Sequence, residues 1–245
     1  MPQEKIWESE YRSSKLVTKG DKPQSDVMDF FRWLRKEQGI DIRAGGLRVL
    51  DLGCGTGRNS NYLAELGNHA IGYEISSTAL QLAEERAKEA GIGTGGVTGS
   101  AKYFKKSIGA PFALDASSVD LALDVTSSNS LNELERAIYL SELSRVLKPG
   151  AWLFLKALCK DGDQNAKNLM KKFPGPEKDT YVMPDLGLVE RVWSREDLAE
   201  FYGGVNGAQS PFEIVTLGKK TNYSQIAGRS YKRNFWIAAM RKKAA

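Results

Sequence analysis

The residues with the most chemical content lie in one short stretch, Val49-Leu50-Asp51-Leu52-Gly53-Cys54-Gly55-Thr56-Gly57-Arg58-Asn59. Three glycines alternate with Cys54 and Thr56 directly after an apolar run. Glycine tolerates positive φ and lets a ligand lie against bare backbone. Further along, Glu74 closes a second apolar run, His69 to Glu74. A carboxylate at that place can accept hydrogen bonds from both hydroxyls of a ribose. Together these features predict a nucleoside-containing cofactor. The dinucleotide fingerprint is G-x-G-x-x-G. Gly53 and Gly55 match it, but Arg58 occupies the last glycine position and Gly57 comes one residue early.

The surrounding elements must hold that stretch in place. Leu47 to Leu52 and His69 to Glu74 read as strands, with a helix from about Asn59 to Leu66 between them. Ser77 to Ala90 reads as a helix, with Leu80, Ala83 and Ala87 on one face. Lys102 to Ile108 reads as a third strand and Val119 to Val125 as a fourth. Ser130 and Glu133 suggest a capping box for a helix to about Leu147, stopped by Lys148-Pro149-Gly150. Ala151 to Leu158 reads as a fifth strand. Strands alternating with helices imply crossovers and a parallel sheet. Residues 159–190 read as irregular, followed by a short helix from Ser194. Phe212 to Leu217 and Tyr231 to Met240 then read as an antiparallel pair. The expected fold class is α/β: a doubly wound, mostly parallel seven-stranded sheet with a C-terminal antiparallel strand pair. Residues 1–245 read as one domain, with 1–45 as an N-terminal helical cap that includes a helix from about Asp26 to Gln38.

The glycine stretch resembles motif I of the class I S-adenosylmethionine-dependent methyltransferases, whose usual form is D-x-G-x-G-x-G. The resemblance extends to Glu74, to Asp120 and Asp124 in strand four, to the Arg145–Gly150 turn and to the closing strand pair. It implies S-adenosyl-L-methionine as cofactor and S-adenosyl-L-homocysteine as product. It implies that Gly53, Cys54 and Gly55 pass beneath the methionine part, and that Asp51 holds its ammonium. Glu74 would bind the ribose and Ile75 would pack on the adenine. Asp124, Val125 and Thr126 would reach the rim beside the methyl, with Asp124 a candidate base. Tyr11 and Arg12 would close over the cofactor. The acid that the family commonly places after strand three is missing from Lys106-Ser107-Ile108-Gly109, so Ser107, or a backbone carbonyl there, with Ile108 beside it, would face the adenine.

Composition limits the remaining options. Hydrophobic residues make up 41% and charged residues 27% of 245, as in an ordinary globular chain. No apolar run is long enough to cross a bilayer. The first fifteen residues have no apolar core for a secretory signal, which predicts a cytoplasmic protein. Two cysteines and one histidine argue against a structural zinc site, so no metal is expected. His69, at the start of strand two, reads as structural, and Phe235 and Trp236 as sheet packing. The net charge of +5 leaves RNA as an alternative partner to a small molecule. A cofactor-binding module without catalysis, or an NAD(P)-dependent oxidoreductase, are further alternatives. No Pro-Pro-Tyr or Pro-Cys segment follows strand four. In the family such segments mark amino methylation of adenine or glutamine amides and C5 methylation of cytosine. The segments expected to roof the crevice are rich in cations and tyrosines. Lys156, Tyr181, Arg229 and Arg233 are therefore candidates to hold an acceptor bearing a carboxylate or phosphate.

Overall fold

The structure is a computed structural model that describes residues 3–13, 20–94, 96–204, 210–226 and 229–244, with backbone alone at 224–226 and 229–231. The helices are α1 (Glu4–Arg12), α2 (Ser25–Gln38), α3 (Arg58–Glu65), α4 (Ser77–Glu89), α5 (Glu133–Val146), α6 (Gln164–Lys172) and α7 (Arg195–Gly203). The strands are β1 (Arg48–Leu52), β2 (His69–Glu74), β3 (Ser100–Lys105), β4 (Val119–Val125), β5 (Leu147–Leu158), β6 (Thr180–Val182), β7 (Val189–Arg191), β8 (Phe212–Ile226) and β9 (Arg229–Lys242).

Seven strands form one sheet in the order β3-β2-β1-β4-β5-β9-β8. β1 to β5 are parallel, and β9 runs antiparallel between β5 and β8. The chain builds outward from β1 to β3, then returns to place β4 on the other side of β1. That reversal leaves a crevice beyond the carboxyl ends of β1 and β4, because the connections there diverge to opposite faces.

Period-two alternation assigns each strand residue to a face. Leu50 and Leu52 of β1, Ala122 of β4 and Leu153 and Leu155 of β5 pack against Tyr139, Leu143 and Val146 of α5 and Leu198 and Tyr202 of α7. Val49, Leu121, Leu123, Trp152 and Phe154 pack on the other face, against Val27, Phe30, Phe31 and Leu34 of α2 and Leu63 of α3. Burying each such large apolar side chain contributes roughly 1.5–3 kcal/mol. Ring packing adds register: Phe30 stacks on Phe154 at 4.9 Å and Trp33 meets Trp152 edge-on at 5.2 Å.

Several expected boundaries move. β3 spans Ser100–Lys105 because its parallel pairing starts at His69↔Ser100 and ends at Glu74↔Lys105. The capping box of α5 is Asn132 with Glu135, two residues later than expected. Ser128–Ser130 forms a tight 3₁₀ turn instead. β5 starts at Leu147, which pairs with Val119 ahead of a bulge. The antiparallel pair is longer than expected. Residues 159–190, expected to be irregular, contain α6, capped by Asp163 accepting from the Ala166 N–H at 2.8 Å, and the β6–β7 hairpin. No described helix is long and apolar enough to cross a membrane.

Candidate functional site

A cavity of about 620 Å³ opens at the switch point. One half is built from the ends of β1 and β2. The backbone turns sharply there, with Gly53 at φ +69° and Gly55 at φ +54°, a region that L side chains avoid. The Gly53 and Cys54 N–H groups donate to the Tyr73 carbonyl at 2.8 and 3.0 Å, tying the turn to β2. A side chain at Gly53 would collide with Ser127, and one at Gly55 would stand 2.5 Å from the Tyr11 hydroxyl.

Glu74, 6% exposed, accepts from the backbone N–H groups of Gly55 at 3.1 Å, Ile75 at 2.7 Å and Ser76 at 2.9 Å. A carboxylate has about four acceptor sites, so capacity remains toward the cavity it lines. Burial pushes its carboxyl above the ordinary range, against those three bonds. Asp51, 2% exposed, accepts from the Ser60 hydroxyl at 2.6 Å. Burial raises its carboxyl to about 6. Cys54 is buried and unoxidised, and burial raises its thiol. Ile75, Ser107, Ile108, Val125 and Thr126 also line the cavity. The Ser107 Oγ accepts from the Gly109 N–H at 3.0 Å.

Helix α1 lies across this half. Glu8 accepts from the Ser76 hydroxyl at 2.7 Å and from the Thr78 hydroxyl at 2.6 Å and N–H at 3.2 Å, fastening α1 to the N-terminus of α4. Those bonds, with the Thr78 hydroxyl first, hold the Glu8 carboxyl at about 2. At the other end the Gln3 side chain accepts from the Val189 N–H at 2.8 Å and donates to the carbonyls of Val189 and Ser130. Trp7 and Tyr11 line the cavity between these two anchors.

Residues 50–155 match a family described as "Methyltransferase domain". That stretch of the chain is thus similar to a methyltransferase domain. Curated relatives of this chain include a ubiquinone biosynthesis O-methyltransferase of Hahella chejuensis, 30% identical over 159 residues, or 64% of this chain and 60% of that protein. Another, from Paraburkholderia xenovorans, is 29% identical over 178 residues, covering 72% of this chain and 64% of the relative. The chain thus spans about three fifths of the length of the curated relatives it matches. Among solved structures, a SAM-dependent methyltransferase of Methanosarcina mazei superposes with TM-score 0.66 at 24% identity, covering 82% of this chain and 94% of that one. The 1,6-didemethyltoxoflavin-N1-methyltransferase of Burkholderia thailandensis, with its substrate and S-adenosylhomocysteine bound, gives 0.62 at 16% identity, covering 98% and 87%. At these identities both show a shared fold.

The fold does not bring every expected residue to the cavity. Asp124 is fully buried and absent from its wall. Alternation along β4 turns it, with Ala122, toward α5. There it accepts from the Tyr139 hydroxyl at 2.6 Å and from the N–H groups of Ser127 at 3.0 Å and Ser128 at 3.3 Å. Its place as a candidate base is therefore corrected to that of a group holding the turn after β4, where Thr126 takes the left-handed φ of +66°. Arg12 is exposed and pairs with Glu8 at 3.0 Å, one helical turn back, away from the cavity. Of the acceptor candidates, Lys156 and Arg233 line the wall, Tyr181 lies behind it, and the Arg229 side chain lies outside the described residues. His69 is remote, its Nδ1 3.1 Å from the Ser100 hydroxyl.

The second half of the cavity holds residues that sequence reasoning missed. Gln3, Leu158, Met183, Val189, Glu190 and Asn222 line it, and so does Phe235, expected only to pack the sheet. The Lys156 ammonium stands 4.5 Å over the Phe235 ring and 2.5 Å from Asp26 of α2. The one usable signal was period two in β9, which puts Arg233, Phe235 and Ile237 on one face. Nothing local in the sequence marks Gln3, Met183 or Glu190.

Proposed function

We propose that this protein transfers the methyl group of S-adenosylmethionine to a small molecule, leaving S-adenosylhomocysteine. The observation that carries this reading is the continuity of one cavity. It runs from the bare backbone at Gly53 and Gly55 and the Glu74 carboxylate to a separate pocket around Leu158, Met183 and Phe235. The first half fits a nucleoside cofactor: it offers a turn without side chains and a buried carboxylate with acceptor capacity to spare. The second half fits a compact organic molecule.

When bound, the cofactor supplies a methyl group already activated on a sulfonium. The protein's contribution is then alignment, which lowers such barriers by roughly 7–11 kcal/mol relative to free reactants. The Gly53–Gly55 backbone and Asp51 would hold the methionine part, Glu74 the ribose, and Ile75, Ser107 and Ile108 the adenine. Val125 and Thr126 stand where the two halves meet, so they would border the reacting centre. Trp7 and Tyr11 would keep water out. The curated relatives are O-methyltransferases by name, and the Burkholderia enzyme is an N1-methyltransferase. Both support a small organic acceptor over RNA, as does a pocket enclosed by α1.

The test is incubation of purified protein with methyl-labelled S-adenosylmethionine and fractionated cell extract. Label is expected in the small-molecule fraction. Label confined to RNA or protein, or none in any fraction, would contradict the reading.

A further inference from the structure

The acceptor half contains a buried guanidinium with one N–H left unpaired. Arg233 is 6% exposed, yet it lines the cavity. One edge of its guanidinium is fixed by the protein. An Nη2–H donates to the Tyr181 hydroxyl, and Nη2 stands 3.7 Å from the Glu190 carboxylate. Tyr181 in turn donates to Glu190 at 2.5 Å, so the three groups brace one another. Its Nε is buried without a hydrogen-bond partner. Ser130, also on the cavity wall, has a buried hydroxyl in the same condition. Buried donors are almost always satisfied, and a charged one left bare is costly. Both residues line the cavity, so their orphaned polar atoms point to a ligand with polar groups of its own.

Deepening the methyltransferase reading and resting on it, we infer that Arg233 anchors a carboxylate on the acceptor molecule. A planar carboxylate matches the guanidinium edge and makes a charge-assisted bond, stronger than a neutral carbonyl would make. The neighbouring Glu190 argues for a single negative charge, because a phosphate dianion would meet its repulsion. Lys156 is the weaker anchor, since its ammonium stands 2.5 Å from the Asp26 carboxylate, whereas the Arg233 Nε has no partner. The apolar body of the acceptor would lie against Leu158, Met183 and Phe235, all buried and grouped in one cluster.

The experiment compares benzoate, benzamide and phenyl phosphate binding to the full chain by ligand-observed NMR, with S-adenosylhomocysteine binding measured separately by calorimetry. Benzoate is expected to bind about tenfold more tightly than benzamide, and more tightly than phenyl phosphate. Arg233→Gln should bring benzoate and benzamide to parity. Removing one partner of a buried pair can unfold a protein, so the double variant Arg233→Gln/Glu190→Gln, which leaves no lone buried charge, should show the same parity. S-adenosylhomocysteine affinity should be unchanged in both. Equal binding of benzoate and benzamide by the natural protein, no binding of either, a preference that survives both variants, or tighter binding of phenyl phosphate would each overturn the inference. Failure of S-adenosylhomocysteine to bind would instead sink the methyltransferase reading, and the benzoate comparison would still stand as measured.

Discussion

The two halves of the cavity are made of different materials. The half under β1 and β2 is built on a glycine turn of bare backbone, and its two buried carboxylates, Asp51 and Glu74, are held by hydrogen bonds from residues within about one βα unit. The half under β5 and β9 is mostly side chain, gathered from α1, β5, β7, the segment before it, β8 and β9. A backbone site tolerates little change and serves one ligand, whereas a side-chain site can be re-lined by substitution. Cofactor recognition and acceptor choice should therefore respond to separate sets of substitutions.

The sharpest way to break that division is Gly53→Val. A β-branched residue at φ +69° that also collides with Ser127 should abolish detectable S-adenosylhomocysteine binding in calorimetry. Normal binding would show that the turn is not the cofactor's bed.

Asp51 gives the next largest effect. Its carboxyl is raised from near 3.8 to about 6, so it favours the folded state below pH ~4 and surrenders that contribution as pH rises through about 6. Two pKa units correspond to ~3 kcal/mol. Asp51→Asn should remove that part of the decline in stability between pH 4 and 7, read as urea midpoints. Burial also raises Glu74 and Asp124, so some slope will persist. An unaltered slope would mean Asp51 is not desolvated.

Glu74→Ala should weaken S-adenosylhomocysteine binding about 10- to 100-fold, the equivalent of one bond to a charged group, while leaving the benzoate affinity alone. A matched loss of both would erase the distinction between the halves. Asp124→Ala should cost ~1–3 kcal/mol of stability by stranding the Tyr139 hydroxyl and two N–H groups. Turnover by the remaining folded protein should keep its pH profile; loss of one limb of that profile would restore Asp124 as a base. Smallest of all, Arg12→Ala should change cofactor affinity less than twofold, because the residue is exposed and an i,i+4 pair contributes only ~0.2–0.5 kcal/mol.

The same division governs what the sequence disclosed. The cofactor half was legible because it is local: strand, glycine turn and helix follow one another, and Glu74 closes the adjacent strand. The sheet was legible because buried parallel strands are short apolar runs. Asp124 was misjudged because motif position gave its place on the strand but not its face, and alternation with Ala122 decides the face. The capping box was displaced because Asp124 draws Ser128–Ser130 into a 3₁₀ turn first. In residues 159–190, Asp163 was a readable helix cap. The β6–β7 hairpin, in contrast, has strands of only three residues and is stabilised by packing from elsewhere. Arg233 stood out as a cation, but its bracing by Tyr181 and Glu190 comes from residues that only the fold brings beside it.

The most direct test of the account is a pair of calorimetric titrations of S-adenosylhomocysteine, into the natural protein and into Glu74→Ala. The account predicts one-to-one binding to the first and at least tenfold weaker binding to the second. No heat with the natural protein, or identical isotherms for the two, would contradict it.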